Sequence, residues 1–208
     1  MNDQNDALSL LNELIDKALA AGADAADSVF IESVSLSLSQ RLGERENLSR
    51  SENADLGLRV LIGPRQAMVS SSDTSPEAMD ELMERCVAMA RSVPDDPFCG
   101  LAEQDRLATE FPDLDVCDET EPDMEILSAR AAAAEDAARA VPGVTNSEGA
   151  EAGWERTSIA IAGSNGFLQT RSGSRHSISV SVLAGEGTSM ERDYDYTSTV
   201  HGEDLPLP

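Results

Sequence analysis

Apolar residues recur at helical spacing in three stretches of the chain, 6–22, 75–94 and 122–143. In the second stretch Ser75 supplies a hydroxyl cap and Pro76 occupies the first helical position, as helix N-termini prefer. Prolines or glycines follow the last periodic residue of each stretch. The pattern therefore predicts three amphipathic helices. Their apolar stripes are Leu8, Leu11, Leu14 and Ile15; Met79, Leu82, Met83 and Cys86; and Ile126, Leu127, Ala131 and Ala134.

Between these helices apolar and polar residues alternate. Apolar residues alternate with serines in 33–39 and with polar residues in 56–62, and glycines mark turns at 43–44 and 164–166. More alternation fills 157–199. These features predict an α+β fold of antiparallel β-meanders with three main helices packed on the sheet. The order of helix, meander, helix, loop, helix and meander indicates a duplicated helix-plus-meander unit, although the two halves share little residue-level similarity.

Composition narrows the class of protein. The 208 residues are 40% hydrophobic, enough for a substantial core, but only 3% aromatic. Thirty-nine acidic residues against 15 basic ones give a formal charge of -24, which disfavours direct nucleic-acid binding. The start lacks the pattern of a secretory signal, and three scattered cysteines fit a reducing compartment, so we expect a cytoplasmic protein without a membrane span. We expect one domain over 1–200 and a linker or truncated end over 201–208.

No stretch carries the ligand spacing of a zinc helix, which needs two histidines one turn apart. His176 and His201 are the only histidines, and a lone histidine is more often structural or solvated than a metal ligand. No cysteine pair has ligand spacing either. Cys86 falls on the apolar stripe of the second helix, so we expect a buried structural thiol.

A strand-spaced acidic run is the strongest candidate for chemistry from the residues alone. Glu191, Asp193 and Asp195 share one face of a predicted strand, and Arg192 and Tyr194 lie on the other face. The three carboxylates fit either a cation site, which would make the chain a metal-dependent hydrolase, or a solvated face of an acidic protein.

Two glycine-containing segments fit turns better than sites. Gly185 to Thr188 superficially resembles a phosphate loop but lacks the following lysine and helix, which favours a hairpin. Asn146 to Gly149 follows the third helix, where short polar side chains and glycine are typical of a tight turn.

Several ordered segments resemble the amino-terminal half of the TldD/TldE family, specifically its TldE branch, also called PmbA and once described as a modulator of DNA gyrase. The resemblance extends over nearly the whole chain, and its weight lies in the joint order of the segments. They are AGADAAD at 21–27, the hairpin at 43–47, SSSDTSPEAM at 70–79, DDPFCGLA at 95–102, PDLD at 112–115, TNSEG at 145–149, GSNGFLQ at 163–169, SRHSISVSV at 174–182 and MERDYDYT at 190–197.

The resemblance implies a cytoplasmic, non-catalytic subunit that pairs with a TldD-like subunit in an oligomeric peptidase acting on small or unfolded peptides. It implies no cofactor in this chain, zinc in the TldD-like subunit, and a β-rich carboxy-terminal domain that is absent here. The family's older name leaves a gyrase-binding regulator as the alternative. The family segments single out residues for partner or chamber contacts: Asn146, Glu148, Gly149, Arg175, His176, Glu191, Arg192, Asp193 and Tyr194.

Overall fold

The structure, a computed structural model, describes residues 4–206. Within these residues the chain forms three α-helices and six strands, and the predicted α+β fold is confirmed. No helix in this part of the chain has the length and apolar character needed to cross a membrane. The elements are α1 (Gln4–Ala20), β1 (Ala25–Arg41), β2 (Glu44–Ile62), β3 (Arg65–Ser71), α2 (Pro76–Ser92), α3 (Met124–Arg139), β4 (Val144–Gly163), β5 (Leu168–Ala184) and β6 (Glu191–Thr199).

The strands form one sheet in the order β3-β2-β1-β4-β5-β6. Sequential strands are neighbours in the sheet except at β3 and β4, where the chain passes through α2 and α3. Strands β2 and β3 pair antiparallel from Leu56 opposite Ser71 to Ile62 opposite Arg65. Strands β5 and β6 also pair antiparallel, from His176 opposite Thr199 to Ala184 opposite Glu191. Within the described residues β6 is therefore an edge strand.

The chain divides into two compact units, each with its own core. Unit 1 comprises the described residues up to Glu32, Asn53–Leu114 and Ser158–Arg171. Helices α1 and α2 cover its part of the sheet, and α2 contacts both α1 and β3. Ser75 caps α2 as predicted, accepting a hydrogen bond from the Ala78 amide at 3.3 Å.

The Cys86 side chain shows how unit 1 excludes water. It is 0% exposed, and its sulfur lies 3.4 Å from the carbonyl oxygen of Leu58 and 3.3 Å from that of Ala67. Burial raises the pKa of this thiol above its ordinary value. Cys86 is therefore a neutral packing residue, as its place on the apolar stripe predicts.

Unit 2 comprises Ser33–Glu52, Asp115–Thr157 and the described residues from Ser172 onward. Its core gathers around Trp154, which is 2% exposed, and includes the buried stripe of α3. The described part of the predicted linker or chain end, 201–206, packs here too, because Leu205 is 6% exposed and belongs to this core. The core residues are Leu36, Leu38, Leu127, Ala131, Ala134, Ala150, Ala152, Trp154, Ile178 and Leu205.

The expected tight turn at Asn146 to Gly149 is wrong, because β4 already begins at Val144 and includes these residues. Buried side chains change phase between Ser147 and Ala150, which is the signature of one extra residue in a strand, a β-bulge. Gly149 has a φ of +112° at this point. A Cβ there would lie 2.8 Å from the Gln40 carbonyl oxygen, so only glycine fits.

Candidate functional site

A groove of about 300 Å³ lies in unit 2 along the last three strands of the sheet. The bulge of β4 forms one side, the serines of β5 form the floor, and β6 forms the outer wall. Two residues of β1 and one of β2 complete it. The lining residues are Ser39, Gln40, Glu46, Glu148, Gly149, Ala150, Glu151, Ser179, Val180, Ser181, Arg192, Tyr194 and Asp195.

An ion pair supported by a hydroxyl crosses this groove. Glu148 accepts a hydrogen bond from the Ser181 hydroxyl at 2.7 Å and pairs with the Arg192 guanidinium, whose Nε also lies 3.0 Å from Ser181 Oγ. The hydrogen bond from Ser181, and then that from Arg192, lower the pKa of Glu148. The carboxylate is therefore ionised at neutral pH and holds Arg192 across β5.

The faces of β6 are as the sequence predicts. Arg192 lies opposite Leu183 and Tyr194 lies opposite Ser181, whereas Asp193 lies opposite Val182, so acidic and Arg/Tyr side chains alternate between the two faces. Tyr194 is 66% exposed. Across residues 4–206, no three histidine, cysteine or acidic side chains are grouped as a metal ion would require.

The β1–β2 turn is bound to α3 by a buried carboxylate, Glu135, which is 0% exposed. Its Oε1 accepts from the Leu42 amide at 2.6 Å and the Ser147 hydroxyl at 2.5 Å. Its Oε2 accepts from the Gly43 amide and from Gln40 Nε2, both at 3.0 Å. Although burial opposes ionisation, these four donors together lower the pKa of Glu135, so the site holds a charged carboxylate.

This carboxylate also fixes the bulge that borders the groove. Ser147, which donates to Glu135, accepts from the Gly149 amide at 2.9 Å. The Asn146 side-chain oxygen accepts from the Ser147 amide at 2.8 Å. The position of Glu148 between Ser147 and Gly149 is thus set by hydrogen bonds that lead back to α3.

His176 is the second buried polar centre of unit 2, with 2% exposure. Its Nε2 lies 3.1 Å from Asp118 Oδ2, and its Nδ1 accepts from the Arg130 guanidinium at 3.4 Å. Because Nδ1 accepts, the neutral ring carries its proton on Nε2. Burial lowers the pKa of His176, with Arg130 acting in the same direction against the attraction of Asp118.

Asp118 and Arg130 also hold the segment that follows β6. The Gly202 amide donates to Asp118 Oδ2 at 3.0 Å, and Arg130 donates to the Gly202 carbonyl at 2.8 Å. The hydrogen bond from Gly202 is the main cause that lowers the pKa of Asp118 to about 2. His201 Nε2 lies 3.2 Å from Asp115 Oδ1 in the same region.

The donor set around His176 does not suit zinc. The Nδ1 lone pair of His176 accepts from the Arg130 guanidinium, and a metal cation there would meet a fixed positive charge. His176 is therefore placed as a hydrogen-bond partner of Arg130 and not as a zinc ligand.

The structure thus divides the predicted site residues among separate places. The groove gathers Glu148, Gly149, Arg192 and Tyr194. The others lie outside its lining: Asn146 on β4, exposed Arg175 and buried His176 on β5, and Glu191 and Asp193 on the opposite face of β6.

Sequence reasoning missed Glu135, Asp118, Arg130 and Ser181. One signal was available for Glu135, because it lies four residues after Ala131 on the buried stripe of α3. A glutamate at such a position needs partners, and the chain offers them in the β1–β2 turn.

Two family models match the chain. The model described as "PmbA/TldA metallopeptidase domain 1" matches residues 26–90, and the one described as "PmbA/TldA metallopeptidase central domain" matches residues 117–208. Together they extend over more than half of the chain.

The relatives agree with these matches. Metalloprotease PmbA of Escherichia coli O157:H7 is 34% identical over 204 residues, which span 96% of this chain and 45% of that protein. The Metalloprotease PmbA homolog of Haemophilus influenzae is 35% identical over 193 residues, spanning 91% of this chain and 43% of that protein. The chain thus spans slightly less than half the length of these curated relatives.

Two solved structures share the fold. A proposed modulator of DNA gyrase from Bacteroides thetaiotaomicron superposes with a TM-score of 0.88 at 20% identity, over 96% of this chain and 46% of that one. TldE from Thermococcus kodakarensis superposes with a TM-score of 0.79 at 17% identity, over 92% and 43% of the respective chains.

Proposed function

Because the chain belongs to the PmbA/TldA metallopeptidase family, we propose that it supplies domain 1 and the central domain of a non-catalytic, PmbA-like peptidase subunit. The subunit works in the cytoplasm with a TldD-like subunit that carries the zinc. The assembled peptidase acts on small or unfolded peptides.

The observation that carries this proposal is the continuous similarity to Metalloprotease PmbA, 34% identity over 96% of the chain. The two family models fall on the chain in the order of domain 1 and then the central domain.

Within this role the groove of unit 2 is the candidate contact surface. Its ion pair between Glu148 and Arg192 is held by Ser181, and Tyr194 stands 66% exposed beside it. A pre-oriented ion pair and an exposed tyrosine are features that protein interfaces use for specificity and for contact area. We propose that these residues face the partner subunit or the peptide chamber.

Co-expression tests the subunit role. The protein is produced together with the TldD-like protein of the same genome, and the amount of purified complex and the rate of peptide cleavage are measured. We expect a stable complex, cleavage only when both proteins are present, and loss of cleavage when the TldD-like protein is stripped of zinc. The proposal fails if the two proteins do not associate and if peptide cleavage by either protein is the same with and without the other.

Reversing the ion pair supplies a sharper test of the groove. Arg192→Glu places like charges across the groove, whereas Glu148→Arg combined with Arg192→Glu restores the pair in the opposite sense. We expect weaker association for the single variant and partial recovery for the double variant. Equal association of the wild type, the single variant and the double variant would exclude the groove from the interface.

Gyrase binding is the second candidate, and the formal charge of -24 is the observation that favours it. An acidic surface can contact a basic protein patch. Mixing the full-length protein with purified gyrase at low salt tests this role. A salt-sensitive complex supports it, and the absence of a complex removes it.

A further inference from the structure

The outer edge of β6 has the chemistry of a docking site for an extended basic peptide. Within the described residues β6 is the last strand of the sheet, and residues 191–196 are all exposed. An edge strand presents alternate N–H and C=O groups that another chain can pair with.

Hydrogen bonds show which groups face outward. The Ser181 hydroxyl of β5 lies 3.5 Å from the Asp193 carbonyl oxygen, so the backbone of Asp193 faces β5. In an antiparallel pair the next residue faces the other way, and Tyr194 and Tyr196 therefore present their backbone to the free edge.

Aspartate side chains already occupy these outward amides. Asp193 Oδ1 accepts from the Tyr194 amide at 2.9 Å, and Asp195 Oδ1 accepts from the Tyr196 amide at 2.8 Å. The edge is thus closed by carboxylates that an incoming strand must displace. A strand that brings positive charge compensates the carboxylates as they leave the amides, whereas a neutral or acidic strand does not.

The same charges decide against a second copy of this chain. Two β6 edges would bring Glu191, Asp193 and Asp195 against their equivalents, with only Arg192 in each strand to offset them. The other face of β6 carries an exposed aromatic surface formed by Tyr194 and Tyr196, which are 66% and 71% exposed.

We propose that β6 binds an extended polypeptide segment with basic side chains at every second position, by strand addition at its free edge. The basic side chains pair with the carboxylates of β6, and the backbone of the segment takes over the Tyr194 and Tyr196 amides. The inference goes beyond the proposed function and does not depend on it, because binding is measured on this chain without a TldD-like subunit.

Peptide binding to the chain tests this site. The probe is a fluorescein-labelled peptide of about ten residues in which lysine and threonine alternate, measured by fluorescence anisotropy at about 20 mM and about 300 mM salt. The comparison peptides have the same composition with the lysines in one block, glutamate in place of lysine, or N-methyl groups on alternate amides. We expect saturable, salt-sensitive binding of the alternating peptide and loss of binding on N-methylation.

Matched variants locate the binding. Asp193→Asn with Asp195→Asn should weaken binding about fivefold, the scale of two exposed ion pairs. Glu81→Gln with Glu84→Gln removes the same charge from the exposed face of α2 and should leave binding unchanged. Tyr194→Pro, which removes one outward amide, should abolish binding when Tyr194→Phe does not.

Other outcomes overturn the proposal. Equal binding of the block or N-methylated peptide would show charge attraction without strand addition, and preference for the glutamate peptide would reverse the assignment. No binding at low salt would mean that the carboxylates serve only to protect the edge. A dimer of the chain that Tyr194→Pro dissociates would identify a second copy as the occupant.

Discussion

Glu135 is the residue whose replacement should most clearly reveal what holds unit 2 together. Replacing it with glutamine keeps the volume of the side chain and removes its charge. The carboxylate accepts four hydrogen bonds, and two of them come from the amides of Leu42 and Gly43 in the β1–β2 turn. Leu42 has a φ of +53°, so this turn holds a conformation that leucine alone disfavours.

The hydrogen-bond geometry sets the magnitude. Each carboxylate oxygen accepts from two donors, so the glutamine NH2 group must face two donors whichever way it is placed. The Ser147 hydroxyl and the Gln40 amide can each rotate to accept, but the backbone amides of the turn cannot. A hydrogen bond to a charged group contributes about 1.5–3 kcal/mol, and we expect Glu135→Gln to lower the free energy of unfolding by about 3 kcal/mol.

Urea unfolding followed by tryptophan fluorescence measures this change. Trp154 is the single tryptophan of the chain, and it is buried in the same unit as Glu135. Asp136→Asn is the matched control, because Asp136 is the exposed neighbour on α3 and its replacement should change stability by no more than about 0.5 kcal/mol.

The pH dependence separates charge from shape. The pKa of Glu135 in the folded chain is below its ordinary value of 4.5. The stability that the charge contributes is therefore present above pH 4.5 and lost as the pH falls through the folded pKa. Wild type and Glu135→Gln should converge over that range. If the two proteins differ at neutral pH by no more than the Asp136 control, the reasoning about the carboxylate is refuted.

Three further predictions concern other contacts. In urea unfolding, Gly149→Ala should lower the free energy of unfolding by about 2 kcal/mol, because the added Cβ would lie 2.8 Å from a β1 carbonyl oxygen at a φ of +112°. Gly100→Ala is the control and should be nearly neutral, because its Cβ would have no atom within 4 Å. Wild type should lose stability relative to His176→Gln as the pH falls below 6.5, because the histidine takes up a proton more readily in the unfolded chain than in the folded one. The free energy of unfolding should fall by at most about 1.4 kcal/mol per pH unit. Identical pH profiles for the two proteins would contradict this prediction. Leu205→Ala should cost about 2–3 kcal/mol, read from the Trp154 signal, and an unchanged midpoint would mean that residues 201–206 do not stabilise unit 2.

Local patterns were enough to predict the fold class. The alternation at 33–39 places Leu36 and Leu38 in a core, and the Ser75 cap fixes the start of α2. These signals depend on side chains a few residues apart. The start of β4 was missed because Asn146 to Gly149 have the local preferences of a turn, and contacts distant in sequence override them. Its bulge is fixed by Glu135, which lies on a helix.

The polar centres could be predicted less well, since each is made from distant segments. Asp118 lies in a loop, Arg130 on α3 and His176 on β5, and Gly202 joins them from the segment after β6. No spacing in the sequence brings these four together. Glu135 was the one centre with a local signal, a charged residue on an otherwise apolar stripe.

The role of the β6 aspartates could not be predicted from the sequence, because it depends on the order of the strands in the sheet. Alternation alone placed Asp193 and Asp195 on one face, and the register with β5 bears this out. The alternation pattern predicts the same solvated face for these carboxylates, whichever strand of the sheet they belong to. Only the sheet order makes β6 an edge and gives the carboxylates the outward amides as partners. The same residues that fit a cation site in the sequence therefore act on the backbone in the structure, because no strand of residues 4–206 pairs with the outer side of β6.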